Sequence, residues 1–589
     1  MAWKSCLVKI RKSYFKKGWD SGMFMKQKAK KTVKIFSLFV IVLSMVFMLT
    51  NVGTSPVQAD QSLDEVVMTV AVGDKQSLIE VVEQVAQIDK AHEIFIEYET
   101  DHQGNVSGPM DFTIDDGDIY LLDSTKNRVI KSSDGKITEV VLKDMARKIT
   151  ARNGILYTLN NDLSITRYDD SGMTRFLLED RSISEAVVNF QAIGEYLYIS
   201  ASCPSFAGVG SYGSIRTYKL DLADDTGIAV SIESFEGSIL DENTIYKTII
   251  EPKEGKSLGN KGSISITDLK TGTQEVIRLS SEYWLLGATY LGIDESGNHR
   301  VKMSEATNDR VEQTIRYISP DGRLNGIRVQ GVQEKYGSNH VKVFNNNVYE
   351  LRNLKNSVDI VRIASANEKS VKTYRSKLSI ISESTELTVD KEIQTAAAPL
   401  SSGITRAQIM SNARSFHRGF FWTITDANLR PLTNWLRPRF VTGPGTYEFM
   451  PYCWGGFDSR SSFEAGLQNG GRVGNINSRD SANRIIPHVP NTFGLDCSAF
   501  VSRAWATARH ATITFYRISR QITWDELRQG DALNRAGHHI HLFSHFLPDG
   551  RVVVYEATTS NSLDRVANTI HMRASLTNYV PIRFNNVLD

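Results

Sequence analysis

The chain has 589 residues, of which 23% are charged and 41% are hydrophobic, and this ordinary globular composition excludes a wholly disordered chain, a collagen-like fibre and a multispan membrane protein. The net charge of +2 is unevenly distributed, because residues 60–399 carry 37 basic and 52 acidic side chains. Residues 400–589 carry 20 arginines, no lysine and 13 acidic side chains, so an acidic middle precedes an arginine-rich basic end.

Residues 1–59 have the pattern of an export signal. Eleven basic side chains precede an apolar run from Ile35 to Thr50. After this run, the small-residue site Val57-Gln58-Ala59 lies directly before Asp60. The run of 16 residues is shorter than the ~20 that a membrane-spanning helix needs. We therefore predict a signal peptide over 1–59, and an uncleaved signal is the one route by which we expect contact with a membrane.

The cysteines point to an exported protein that does not depend on disulfides. Cys6 lies in the predicted signal, which leaves Cys203, Cys453 and Cys497 in more than 500 exported residues. Export without a disulfide framework is typical of a bacterium with a single membrane and a thick wall. We predict a secreted, cell-wall-associated protein and no nucleic-acid partner.

The middle of the chain predicts a multi-domain protein that begins with an all-β region. Residues 60–91 are expected to form a helical lead-in, because 75–90 have helical periodicity. Residues 92–378 contain short alternating strands and Asp-Gly or Asn-Gly turns in about six units of roughly 35–50 residues, which favours a β-propeller. The stretch Ile119 to Lys136 resembles an NHL-type propeller repeat. A pair of β-sandwiches is the alternative, and residues 379–403 are expected to be a linker.

A new domain is predicted over residues 404–589. Thr405 and Gln408 have the spacing of a capping box that opens a helix. A second helix is expected to begin near Cys497, with Asp496 as its cap. A cysteine at the start of a helix lies at the positive end of the helix dipole, which favours the thiolate. The alternative is that Cys497 is a small core residue.

Two strands after this helix supply histidines and a carboxylate. The alternation of the first strand places His539, His541, Phe543 and His545 on one face. If the turn that follows closes a simple hairpin with Phe546 opposite Arg551, Glu556 lies opposite His541 and diagonal to His539. A strand histidine can serve Cys497 as a general base, His539 and His541 together can chelate zinc, or the face can be a polar surface open to solvent.

These residues together resemble the NlpC/p60 family of cell-wall cysteine peptidases, which have a papain-like α+β fold. The matching segments, in the family's order, are Pro451 to Gly456 (PYCWGG), Leu495 to Phe500 (LDCSAF), Gly530-Asp531, His539 to Phe543 (HIHLF) and Tyr555 to Thr558 (YEAT). The resemblance covers about 180 residues. Two departures are the 37-residue insertion 457–493 and Ala499, where glycine is usual.

The resemblance implies the residue roles that the spacing leaves open. Cys497 matches the nucleophile, His539 the base and Glu556 the third catalytic residue. Tyr452, Asp496 and Ser498 match residues that line the substrate cleft near the free amine, and we include Trp454 among the substrate-binding residues.

The resemblance implies that the protein is an exported peptidoglycan hydrolase that needs no cofactor or metal. Such an enzyme cuts the stem peptide between γ-D-glutamyl and the diamino acid. Two alternatives are a zinc-dependent hydrolase and an inactive wall-binding relative. In the second of these, the propeller recognises a protein or other ligand.

Overall fold

The computed structural model describes residues 64–71, 94, 96–100, 106–180, 182–203, 212–223, 226–254, 256–306, 311–329, 341–354, 357–366, 403–480, 482 and 484–588. The predicted signal over 1–59, the helix expected over 75–90 and the linker up to residue 402 lie outside these residues. No helix within the described residues has the length and apolar character required to cross a membrane.

The first part of the fold consists of antiparallel strands that pair with their neighbours in sequence, as hairpin-joined strands do. A first strand, β1, covers Glu65–Ala71, and the short strands β2 (Glu99–Thr100) and β3 (Val106–Ser107) pair with each other. Three four-stranded units follow: β4 (Asp111–Asp115), β5 (Asp118–Asp123), β6 (Arg128–Ser133), β7 (Lys136–Val141); β8 (Ala146–Arg152), β9 (Ile155–Asn160), β10 (Ile165–Asp169), β11 (Gly172–Leu178); β12 (Val187–Ile193), β13 (Tyr196–Cys203), β14 (Ser214–Ala223), β15 (Ile228–Glu236).

The next two units share one long strand. They consist of β16 (Ser238–Asp241), β17 (Thr244–Glu251), β18 (Gly259–Asp268), β19 (Gln274–Ile293), β20 (His299–Ala306), β21 (Val311–Ile318) and β22 (Leu324–Val329). The first half of β19 pairs with β18 and ends the fourth unit, whereas the second half pairs with β20 and opens the fifth.

The sixth unit closes the ring. It contains β23 (Val341–Phe344), β24 (Asn347–Asn353) and β25 (Ser357–Arg362), and its outer strand is β1 from the start of the chain. A ring of six four-stranded units, the last of which combines a strand from the start of this region with three strands from its end, defines a β-propeller. The expectation of a propeller is therefore confirmed and the pair of sandwiches is excluded. The expected boundary at residue 92 is wrong, because Glu65–Ala71 is a propeller strand and not part of a helical lead-in.

The remaining residues form an antiparallel sheet with helices on it. The elements are β26 (Ile404–Thr405), α1 (Arg406–Ser415), β27 (Phe421–Ile424), β28 (Gly445–Glu448), α2 (Arg460–Gln468), β29 (Arg472–Val473), β30 (Thr492–Phe493), α3 (Cys497–Ala504), β31 (Ser519–Gln521), β32 (Ala532–Arg535), β33 (His539–Phe546), β34 (Val552–Thr558), β35 (Arg565–His571), β36 (Val580–Phe584) and β37 (Val587–Leu588). Single 3₁₀ turns lie at Asp426–Leu429, Phe515–Arg517, Trp524–Glu526, Ser560–Ser562 and Arg573–Leu576. The main sheet has the order β31-β36-β32-β33-β34-β35, and α3 packs on β33 and β34.

The β33–β34 hairpin differs from the simple pairing predicted from its sequence. Phe546 pairs with Val552, one residue further along than expected, and a β-bulge follows between Phe543 and His545. The extra residue at the bulge restores the expected register, so that Leu542 pairs with Tyr555. All eight residues of β33 are buried, which rules out a polar strand face open to solvent.

The hairpin is buried because its turn enters the propeller. The amide of Gly213 donates to the carbonyl of Phe546 over 2.9 Å, and the amide of Ala288 donates to the carbonyl of Pro548 over 2.8 Å. Phe546 also packs in one apolar cluster with the propeller residues Leu258, Leu286 and Ala306. The two parts of the chain therefore share a core, although their sequences predict separate domains joined by a linker.

Glu185 is the electrostatic centre of this interface. Its buried carboxylate pairs with Arg147 of the propeller, and with His417 and Arg565 of the C-terminal region. One of its oxygens also accepts the amide N–H of Asn568 over 3.2 Å. Burial raises the pKa of Glu185, but Arg565, His417 and Arg147 outweigh it and hold the pKa well below its usual value.

We predict that Glu185→Ala lowers the free energy of unfolding of the full chain by about 3–5 kcal/mol, because buried cations lose their counter-charge. The folded-state pKa of Glu185 is depressed, so its contribution is complete above the ordinary carboxyl pKa and is lost as the pH falls through the folded value. Calorimetry of the full chain between pH 7 and pH 3 measures both effects. Glu233→Ala is the control, since Glu233 is exposed and lies 3.9 Å from Lys219; an equal loss in the two variants would contradict the assignment.

Candidate active site

Cys497 is placed by the start of α3. The side chain of Asp496 accepts the N–H of Ala499 and caps the helix, as its sequence predicts. The segment before it is held close to the PYCWGG segment, since the amide of Cys453 donates to the carbonyl of Leu495. A side chain at Gly456 would come within 2.5 Å of the carbonyl oxygen of Gly494, so this close approach requires glycine. Ala499 is fully buried in the core, and its methyl group leaves the helix start intact.

His539 and Glu556 are brought together by the hairpin. The Nε2 atom of His539 lies 2.7 Å from Oε2 of Glu556, and both side chains are buried. Nε2 faces the carboxylate, whereas Nδ1 is buried without a hydrogen-bond partner among the described residues and is therefore the nitrogen free to serve Cys497. Burial lowers the pKa of His539, but Cys497 and Glu556 outweigh it and raise the pKa to about 10. A protonated imidazole held between a thiol and a carboxylate is the arrangement that cysteine nucleophiles use.

Two further histidines surround Glu556. His541 Nδ1 lies 3.3 Å from Oε2, and His571 Nε2 lies 2.9 Å from Oε1. The hydroxyl of Thr569 donates to Oε1 as well. Burial raises the pKa of Glu556, but the three histidines outweigh it and hold the pKa well below its usual value. Burial also lowers the pKa of His541 to about 3, so His541 is neutral where His539 is charged.

The same residues have the composition of a metal site. His539, His541 and Glu556 each offer a ligand atom, and these atoms lie within 4.8 Å of one another. Both ring nitrogens of His541 are buried. Nδ1 lies 3.3 Å from Oε2 of Glu556 without the geometry of a hydrogen bond, and Nε2 has no hydrogen-bond partner among the described residues. A neutral imidazole with an unpartnered nitrogen is a competent ligand for zinc.

The four residues expected to bind substrate differ in their environment. Tyr452 is fully buried in the core, and Ser498 is nearly so and donates its hydroxyl to Asp496. The indole of Trp454 donates to the carbonyl of Ile486, which belongs to the insertion 457–493. The insertion therefore holds the PYCWGG segment in place through Trp454.

Arg509 is a residue that sequence reasoning missed. Its Nη2 atom lies 2.9 Å from Oδ2 of Asp496, so the second oxygen of this carboxylate already has a cationic partner. His571 and Thr569 were missed as well. The alternation of β35 puts both on one face of the strand next to Glu556, a pattern that could have identified them.

No family model matches the sequence, and no curated protein matches it. Solved structures that are similar to this chain include BamB from Moraxella catarrhalis, with 12% identity over 51% of this chain and 100% of that chain and a TM-score of 0.25. YCF48 from Cyanidioschyzon merolae has 9% identity over 44% of this chain and 95% of that chain, with a TM-score of 0.24. The WD40 β-propeller domain of Doa1 has 12% identity over 45% of this chain and 94% of that chain, also with a TM-score of 0.24. The propeller assignment above rests on the strand pairing alone.

We predict that alkylation at neutral pH modifies Cys497 faster than Cys453. Cys497 lies at the start of α3 and close enough to His539 to raise the pKa of that imidazole, whereas burial raises the pKa of Cys453 to about 12. His539→Ala should slow the modification of Cys497 about 10-fold or more. Peptide mapping by mass spectrometry after timed exposure to iodoacetamide measures each rate, and His541→Ala is the matched control. Equal slowing in the two variants would contradict the pairing of His539 with Cys497.

Proposed function

We propose that the chain is an exported cysteine peptidase with a papain-like C-terminal domain over residues 404–589. Its substrate is the stem peptide of peptidoglycan, cut between γ-D-glutamyl and the diamino acid. The observation that carries the proposal is that His539 faces Glu556 through Nε2, while Cys497, at the start of α3, raises the pKa of the same imidazole together with Glu556. The bond cut and the substrate come from the resemblance of the sequence segments to the NlpC/p60 family.

In the proposed mechanism the Cys497 thiolate attacks the amide carbonyl and forms a tetrahedral intermediate. The backbone N–H of Cys497, at the positive end of α3, contributes to the stabilisation of the oxyanion. His539 then donates its proton to the leaving amine, which departs and leaves a thioester on Cys497. His539 next removes a proton from water, the water attacks the thioester, and the acid product leaves. Glu556 keeps the imidazolium oriented and charged throughout.

The hydrogen bonds of the Asp496 carboxylate determine how it can bind the free amine of a substrate. In the family, the positions of Tyr452, Asp496 and Ser498 lie near the free amine of the substrate. Here Oδ1 of Asp496 already accepts from Ser498 and Ala499, and Oδ2 accepts from Arg509. Oδ2 therefore retains an acceptor site at which a substrate amine can bind beside Arg509, which is partly exposed.

The proposal also includes attraction of the basic C-terminal region to the bacterial wall. Residues 400–589 carry 20 basic and 13 acidic side chains, and the bacterial wall is a polyanion. We include the propeller as a recognition surface for a protein or other defined ligand, because the acidic region is repelled by bare wall.

A zinc-dependent hydrolase is the second candidate, and the His539, His541 and Glu556 cluster favours it. In that case the three side chains hold the ion, which activates water for the attack. The neutral His541 supports metal binding, whereas the raised pKa of His539 opposes it, because a ligating imidazole must be unprotonated.

Matched variants of the full chain separate the two candidates. For the cysteine peptidase we expect Cys497→Ala to abolish cleavage of defined stem-peptide fragments. His539→Ala should cost about 10²–10⁴-fold in kcat/KM and His541→Ala much less, because only His539 transfers protons. Glu556→Gln should be milder than Glu556→Ala, since the amide still accepts a hydrogen bond from the imidazole. Mass spectrometry of the fragments, with calorimetry to confirm that each variant folds, measures the series.

A zinc-dependent hydrolase would respond differently to chelators and to the histidine variants. Strong chelators would then abolish cleavage, zinc would restore it, and the losses at His539 and His541 would be equal. Cleavage that withstands chelators but is stopped by thiol alkylation would exclude it. Absence of cleavage by the wild-type chain, together with salt-sensitive sedimentation with purified walls, would instead indicate an inactive wall-binding protein.

A further inference from the structure

The centre of the propeller contains a cavity of about 140 Å³. Its wall comes from the first strand of successive propeller units, including Lys148 on β8, Asn189 on β12, Tyr290 on β19 and Lys342 on β23. The turn of the β33–β34 hairpin completes the wall with three of its residues, which are Pro548, Asp549 and Arg551. The cavity is therefore built jointly by the propeller and the C-terminal region.

Positive charge exceeds negative charge in this wall. Two carboxylates line the cavity and both are paired, since Glu236 lies 2.9 Å from Lys247 and Asp549 lies 2.6 Å from Arg551. Behind the wall, Asp111 lies 2.8 Å from Lys342 and 3.9 Å from Lys148, so these two lysines share one carboxylate. Lys302 lines the cavity as well, and no ion pair of its ammonium group is found within the described residues. Lys148 therefore has only a shared, distant counter-charge, and Lys302 has no paired one in that part of the chain.

Both ammonium groups are costly for the protein to keep charged. Burial, Lys342 and Arg551 together lower the pKa of Lys148 to about 8, against the attraction of Asp111. Burial lowers the pKa of Lys302 too, against the attraction of Asp549 and Glu350. Lys148 is buried and Lys302 is half-buried. A charge withdrawn from water is unfavourable unless it is paired, so an anion in the cavity would stabilise both ammonium groups.

We propose that this cavity binds a small oxyanion with at least two negative charges, held by Lys148 and Lys302 with Arg551 beside it. Ammonium and guanidinium groups that converge on one cavity bind phosphate- or carboxylate-type oxygens through charge-assisted hydrogen bonds. The volume of about 140 Å³ is sufficient for a small free anion. The site is distinct from the cysteine at position 497, and the proposal holds whether or not the chain is a peptidase.

Inorganic phosphate is the probe, and the full chain is titrated with it while thermal unfolding is followed. We expect a saturable rise in Tm that potassium chloride of equal ionic strength does not reproduce. Lys302→Met should raise Tm in the absence of phosphate, because it removes a half-buried charge that has no ion pair among the described residues, and should weaken phosphate affinity about 10-fold or more. Lys148→Met serves as the second variant, and sulfate and malonate distinguish tetrahedral oxyanions from dicarboxylates.

Lys270→Met is the control, because Lys270 is an exposed lysine of the same propeller. It should leave both the starting Tm and the phosphate response unchanged. The proposal is overturned if phosphate acts no more strongly than chloride on the wild-type chain. It is also overturned if the Lys302 and Lys148 variants respond to phosphate as the Lys270 variant does.

Discussion

The burial of one hairpin, β33 with β34, is the constraint on which both the site and the domain arrangement depend. One end of this hairpin carries His539 and Glu556, and the turn at its other end enters the propeller beside Gly287 and Ala288. Because every residue of both strands is buried, neither end can shift without disturbing a packed core. The geometry of the histidine–carboxylate pair is thus fixed in part by the propeller.

Burial also explains the electrostatics of the site. A carboxylate out of contact with water is stable only when cations or donors surround it, and Glu556 has His539, His571 and Thr569 around it. The same logic governs Glu185 at the domain interface, where arginine and histidine side chains replace water. At both sites a buried carboxylate stays ionised because several cations or hydrogen-bond donors contact it.

Local features of the fold could be predicted from the sequence and long-range ones could not. The caps at Thr405 and Asp496 were predicted correctly because a cap depends on residues three apart. Counting residues through the hairpin placed Glu556 near both His539 and His541, and only the family resemblance selected His539. The count held because a bulge compensates for the register at Phe546. The strand Glu65–Ala71 was missed because it pairs with residues almost 300 positions away. The salt bridge of Arg509 and the shared core depend likewise on packing that no local pattern encodes.

The central claim is that Cys497 forms a covalent intermediate with its substrate, and its direct test is to trap that intermediate. The full chain is mixed with a defined stem-peptide fragment, quenched in acid within milliseconds to seconds, and digested for mass spectrometry. We expect an acyl group in thioester linkage on the peptide that contains Cys497. This group should form and disappear at rates that match turnover. Cleavage of the fragment with no acyl group on Cys497, and with full activity after alkylation of that thiol, would contradict it.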